Sequence, residues 1–267
     1  MIELIWLNLK QALRSRLVLT LLIFTFIIQY GGMRIASTAS LYNQGSVIKF
    51  DHRDMLFVSL VFQLFNGMFL AALYGIWVVP QGHQGQRNYL TFVIPVPRWM
   101  FPLAYGITML LMLLSQYGIA LITYGLQFGW DVLGAAPWTG VVCSLVVETL
   151  AFLVVMFGFS VFSLLMGQLP TFVLGVLFLI VQQAAGVFFR LPLEGVFGDH
   201  RYLGVLRFVY YKLPPLGELV YNLRENYVHP DLLSQQTALW AAWLVLFLAV
   251  FQLRLRFPGQ SRSADIV

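Results

Sequence analysis

Apolar runs of bilayer length recur six times along this chain, and that repetition leaves it little choice of fold. The runs cover residues 17–35, 55–79, 99–126, 139–167, 169–189 and 237–257. A helix needs ~20 mostly apolar residues to cross the hydrocarbon layer, so each run is long enough to cross once. Only a helix satisfies its own backbone polar groups in lipid, which makes the expected fold all-α. Hydrophobic residues make up 60% of the chain and charged residues 10%. Soluble domains carry about 25% charge, so there is too little polar surface here to cover a globule in water. The expected architecture is one transmembrane domain over residues 1–267 with six spans. The chain has no period of 20–50 residues, no low-complexity tract and no soluble-domain boundary.

The segments between the runs give the topology. Ser37-Thr38-Ala39 loosely fits a leader cleavage site. Sixteen residues precede the first run, however, and Leu17–Met33 exceeds the ~7–15 apolar residues of a leader, so the run reads as an anchor. With the N-terminus inside, the inner segments hold Lys10, Arg14, Arg16, Arg87, Arg98, Arg254, Arg256 and Arg262 against Glu3 and Asp265, a balance of +6. Basic and acidic residues cancel in the outer loops, which places both termini in the cytoplasm by the positive-inside rule. Gly167-Gln168-Leu169-Pro170 is a turn signal between the fourth and fifth runs.

Residues 1–16 bring Ile2, Ile5, Trp6, Leu9 and Leu13 to one helical face, with Lys10, Gln11 and Arg14 on others. That pattern suits an interfacial helix, and a simple extension of the first span explains it equally well. The outer stretch 190–236 carries Leu216, Leu219, Val220, Leu223 and Tyr227 as an apolar stripe opposite Glu218, Asn222 and Glu225. This reads as a helix in the outer interface or capping a pathway.

Between the second and third runs, residues 81–97 are polar. Residues 86–94 suffice for about two and a half helical turns, with Tyr89, Phe92 and Val93 on one side. Pro95 and Pro97 end the helix, because proline lacks the amide donor and clashes with the preceding turn, and Arg98 marks the interface. A short cytoplasmic helix of this kind suits docking into a groove of another protein.

Six spans, an amphipathic N-terminal helix and the close Pro95-Val96-Pro97-Arg98 after a short cytoplasmic helix resemble the ABC type-2 permease (exporter) family. The resemblance covers the whole chain in architecture and about thirty residues in motif. It implies that 81–97 is a coupling helix resting on a separate ABC ATPase subunit, with Arg87, Tyr89, Phe92, Pro95 and Arg98 at the contact. It implies two ATPase copies that bind the ATP and Mg, and a second permease copy or paralogue. It also implies a bacterial or archaeal cytoplasmic (inner) membrane. The family commonly has a proline-led helix before its last span, and Pro215 and Arg224 fit it loosely. Departures stand beside these matches: Gly82 or His83 lies where the family has a Glu, and Gln86-Arg87 where Gly-Thr is usual.

Other chemistries find little support. A P-loop needs a lysine after glycine, and Lys10, Lys49 and Lys212 do not follow one, so the chain itself carries no ATPase motif and binds no cofactor by that route. H-E-x-x-H is absent, and the single cysteine, Cys143, excludes an internal disulfide or a multi-cysteine metal site. Ser160 lacks a base, since His52, His83, His200 and His229 all fall between the runs. The sixteen basic residues form no nucleic-acid stripe. Glu148 is the one acid within a run. It reads either as part of a substrate path or subunit interface, together with Gln182 and Gln183, or as an acid bonded to Gln116, Gln182 or Gln183 of a neighbouring helix. Gly125 and Gly129 form a GxxxG that a turn at the membrane surface explains equally well. A secondary carrier is disfavoured, since that class tends to show inverted repeats and several intramembrane charges. A non-transporting scaffold or regulatory membrane subunit would use the same docking helix.

Overall fold

A computed structural model describes residues 2–14, 16–38, 41–43, 46–48, 52–81, 97, 99–134, 136–188 and 233–256. Between the last two it describes 204–205, 208, 210, 213–214, 216, 219–221 and 224. The helices are α1 (Ile2–Arg14), α2 (Arg16–Thr38), α3 (His52–Leu73), α4 (Met100–Phe128), α5 (Trp130–Gly134), α6 (Trp138–Met166), α7 (Gln168–Phe188) and α8 (Leu233–Arg256). A π-helical turn, Tyr74–Val78, and a last α turn, Val79–Gln81, continue α3. One departure from an all-α chain is a small hairpin after α2. Strands β1 (Leu41–Asn43) and β2 (Ser46–Ile48) pair antiparallel, Leu41 opposite Ile48.

Among the described residues, three stretches are long and apolar enough to cross a bilayer: Met55–Val78, Met100–Phe128 and Trp138–Met166. The apolar parts of α2, α7 and α8 are shorter: Leu22–Ile35, Gln168–Gln182 and Thr237–Leu253. Large apolar side chains on α2 and α7 are open to the surroundings, among them Leu19, Ile23, Ile27, Leu169, Val173 and Leu177, each more than half exposed. A continuous apolar surface of this extent belongs against lipid or another protein.

From α2 to α7, consecutive long helices alternate in direction. Gln29 of α2 meets Ser59 of α3, and Thr25 lies level with Gln63 through Gln116, so α2 and α3 run antiparallel. Gln127 near the end of α4 donates to the carbonyl of Tyr30 near the end of α2 at 2.7 Å, so those two run parallel. Gly67 packs against Phe152, and further along Ser163 bonds to Ile76, so α3 and α6 also run parallel. Gly167, with φ 91°, reverses the chain between α6 and α7 in a conformation that side-chain-bearing residues rarely adopt. α8 packs beside α6, with Gly158 against Phe247 and Phe157 against Phe251. The end of α3, the start of α4 and the α6–α7 turn therefore share one end of the bundle.

Helix α1 packs at that end, on α2, α4 and the π-helical turn. Asn8 and Ala12 are buried there, while Ile2, Trp6 and Leu13 remain exposed. Of the apolar stripe legible in the sequence, Ile2, Trp6 and Leu13 thus face outward, while Ile5 is half-buried and Leu9 packs against the core. A different side, roughly a quarter-turn away, seats the helix on the bundle.

The main core gathers Leu64, Met68, Tyr74, Tyr105, Met109, Phe152, Met156, Trp240 and Phe251 at the junction of α3, α4, α6 and α8. A second cluster of Met33, Met55, Leu56, Leu60, Tyr124 and Val141 closes the opposite end. The GxxxG of α4 is a turn. Gly129, with φ 97°, ends the helix, and Gly125 makes room for the ring of Trp130.

Candidate functional site

Proline chemistry shapes the end of the bundle that leads to residues 81–97. In an α-helix the amide of residue 80 would bond to the carbonyl of Ile76. Pro80 has no amide hydrogen, and its ring crowds that carbonyl. The helix responds by widening: the amide of Val79 bonds to the carbonyl of Tyr74, five residues back. The carbonyl of Ile76 accepts instead from the hydroxyl of Ser163 on α6, at 3.0 Å. Gly75 lies where the two helices come closest, since a Cβ on it would overlap the main-chain carbonyl of Met156. Tyr74 meets Tyr105 edge-on at 6.4 Å, and Trp77 meets Phe172 at 5.4 Å. The turn is therefore clamped between α4, α6 and α7. π-helical turns of this kind occur frequently at functional sites.

A pair of substitutions tests this account. Ser163→Ala should lower stability by about 1 kcal/mol, the scale of an interhelical hydrogen bond in a membrane protein. In a Pro80→Ala background, which returns an amide donor to the Ile76 carbonyl, the same change should cost measurably less. Thermal unfolding of the four proteins reads the coupling, and equal costs in both backgrounds would refute it.

Halfway along the bundle lies a polar layer. Gln63 of α3 donates to the side-chain oxygen of Gln116 on α4 at 3.2 Å, and Gln116 donates to the hydroxyl of Thr25 on α2 at 3.3 Å. All three are buried. On the other face of α4, the hydroxyls of Tyr117 and Thr149 lie 3.2 Å apart, joining α4 to α6. Glu148 adjoins Thr149 and lies within electrostatic reach of Tyr117. It is 1% exposed, and neither carboxyl oxygen has a hydrogen-bond partner among the described residues. The pairing of Glu148 with Gln116 that the sequence allowed is therefore not formed, because Gln116 is committed to Gln63 and Thr25. Among the described residues the side-chain oxygens of Gln63 and of the buried Gln182 on α7 also lack a partner, so buried unsatisfied groups occur on more than one helix.

Such groups are rare in folded interiors, and each calls for a reason. A carboxyl group without a partner at this depth costs a few kcal/mol, so such residues normally face a cavity or a functional partner. Gln63 and Thr25 escaped the sequence reading. Gln63 was visible as an amide within an apolar run, but its partner depends on which helices become neighbours.

The other residues singled out by sequence fall as follows. Arg87, Tyr89, Phe92, Pro95, Arg98, Pro215 and Leu223 lie outside the described residues, as does the side chain of Gln183. Leu216 and Leu219 are 3% and 2% exposed and belong to the main core, whereas Arg224 is exposed. These two leucines therefore insert among the helices rather than lie flat on an outer surface. Ser160 donates to the carbonyl of Met156 at 2.7 Å, the ordinary back-bond of a helical serine. Cys143 is buried and unbridged, as a small apolar residue would be. No metal-binding group of His, Cys, Asp or Glu occurs among the described residues. No protein-family model matches the sequence, and no curated protein sequence matches it either.

Proposed function

We propose that this chain is the membrane-spanning permease subunit of an ABC exporter. In this reading it crosses the cytoplasmic membrane six times, with both termini in the cytoplasm. Two permease chains, identical or paralogous, form the pathway. A separate ATPase, present in two copies, binds ATP and Mg and supplies the energy. The substrate is lipidic or amphiphilic, in keeping with the apolar bundle.

The observation that carries the reading is the way α3 ends. The polar segment 81–97, closed by Pro95-Val96-Pro97-Arg98, begins directly after a π-helical turn that Ser163, Gly75 and Trp77 hold against the rest of the bundle. In this reading, a push on that segment by an ATPase is passed to α6 at the turn where α3 ends, through a main-chain-to-hydroxyl bond and a glycine contact. Helix α1 seats on the same turn and keeps Trp6 outward for the headgroup layer. Support also comes from the alternating helix directions, which bring α1 and the start of 81–97 to the same end.

The test is replacement of Tyr89 and Phe92 together by Asp. Charged side chains cannot fill an apolar groove, so an ATPase encoded beside this chain should no longer co-purify, and substrate-stimulated ATP hydrolysis should fall to that of the free ATPase. Normal co-purification together with normal transport would refute the docking assignment.

A further inference from the structure

We propose that the cleft between α6, α7 and α8 is a binding site for one alkyl chain of a bilayer lipid. The inference rests on the reading that these helices cross the bilayer.

Two glycines shape the cleft. Gly175 of α7 accommodates the ring of Phe159 of α6, where a Cβ would overlap it, so the two helices close together at that level. Gly158 of α6 leaves Phe247 of α8 at ordinary contact distance, 3.4 Å from an added Cβ. Between these points lies a cavity of about 480 Å³, closed at one side by Leu213, Pro214 and Leu216. That volume lies within the ~300–1,000 Å³ of small-molecule sites.

The lining decides the class of occupant. Of the lining side chains only Thr171 and Trp243 carry a polar group, and the Thr171 hydroxyl donates to the carbonyl of Gly167 at 2.7 Å. The surface of the cleft is almost wholly apolar and carries no charged side chain, which suits it poorly to a headgroup, a sugar or an ion. A helix from another chain has a diameter of ~10 Å and would enter a space of this volume for only about one turn. A single alkyl chain is slim enough to fill it along its length. At the rim, Phe162, Met166 and Leu174 are 46%, 41% and 51% exposed, so the cleft opens sideways to the surroundings of the bundle. In a bilayer those surroundings are acyl chains. No hydrophobic gain drives a tail from lipid into protein, but a tail seated here restores the dispersion contacts that an empty cleft forfeits.

The experiment uses the full chain in liposomes containing a phospholipid with a photoactivatable diazirine near its acyl terminus, followed by mass spectrometry of the labelled peptides. Label on cleft residues such as Phe159, Phe162 and Phe247 should exceed label on the outward face of α2 (Leu19, Ile23, Ile27) roughly tenfold, a preference of about 1.4 kcal/mol. Gly158→Leu, which projects into the cleft, should reduce cleft labelling to the α2 level. Gly106→Leu, on a residue with nothing within 4 Å of an added Cβ, should leave it unchanged. If Gly158→Leu fails to fold, Gly158→Ala serves: it fits against Phe247 and should lower cleft labelling partially. Equal labelling of cleft and α2 overturns the proposal, as does cleft labelling that a folded Gly158→Leu leaves intact. A cross-link joining two protein copies through Phe162 would also overturn it, since a second copy would then cover the cleft. Extraction of the protein from membranes by alkaline carbonate would defeat the membrane reading itself. A membrane-embedded protein with an unlabelled cleft defeats this proposal alone.

Discussion

Gly75→Ala should lower the melting temperature of the purified protein sharply, and Gly75→Leu should prevent its folding. The added Cβ of alanine would overlap the Met156 carbonyl oxygen. Overpacking by a methyl group commonly costs about 1–3 kcal/mol, because nearby side chains can rotate out of the way. Here the obstacle is main chain within α6, which has no rotamer to adopt. Relief requires α3 and α6 to separate, and that would break the bond from Ser163 to Ile76 and loosen the contact of Trp77 with Phe172. The cost should therefore reach the upper end of that range, about 3 kcal/mol. Gly106→Ala is the matched control. It has open space around it within α4 and removes a helical glycine, so it should be neutral or stabilising by up to about 1 kcal/mol. Thermal unfolding in detergent distinguishes the two, and an unchanged melting temperature for Gly75→Ala would show that the helices do not meet at this point.

The same residue shows what the sequence discloses and what it withholds. Helix positions were legible because length and hydropathy are local properties: the run at 139–167 became α6 at Trp138–Met166, and the run at 99–126 became α4 at Met100–Phe128. Pro80 stands just past the run at 55–79, and its effect on the end of α3 was not read from the sequence. The π-helical turn is fixed by Ser163, 87 residues away, and by a glycine contact that no local pattern encodes. Gln116 stood out as an amide within an apolar run, yet its partners, Gln63 and Thr25, follow from helix packing. The hairpin at β1–β2 was missed because three-residue strands are too short for alternation to register. Leu216 and Leu219 read as part of one stripe of an amphipathic helix. Their insertion into the core depends on a space among helices that the sequence does not display.

Glu148→Met should make the protein more stable and less active. Methionine has a comparable length and no polar atoms, so it removes a buried carboxyl group that has no hydrogen-bond partner among the described residues. Acids at the centre of a membrane helix cost roughly 2.5–3.5 kcal/mol, and a substantial part of that should return as stability. A purely structural acid would behave in the opposite way, since its loss would strip a partner from Tyr117 or Gln182 and lower the melting temperature. Under the proposed function, activity is where the cost is recovered: a group held unsatisfied beside the Tyr117–Thr149 pair would receive a donor that arrives with substrate or with a change of conformation. Under the proposed function, substrate-stimulated hydrolysis by the partner ATPase should accordingly fall roughly tenfold or more, the scale of a lost coupling interaction. Glu148→Gln separates the two roles that remain. It keeps a polar side chain of the same shape but cannot carry charge. Activity near wild type would assign Glu148 a hydrogen-bonding role, and loss equal to that of Glu148→Met would assign it a role that depends on the carboxyl group. A less stable but fully active Glu148→Met would overturn both, and would return the residue to the framework of the bundle.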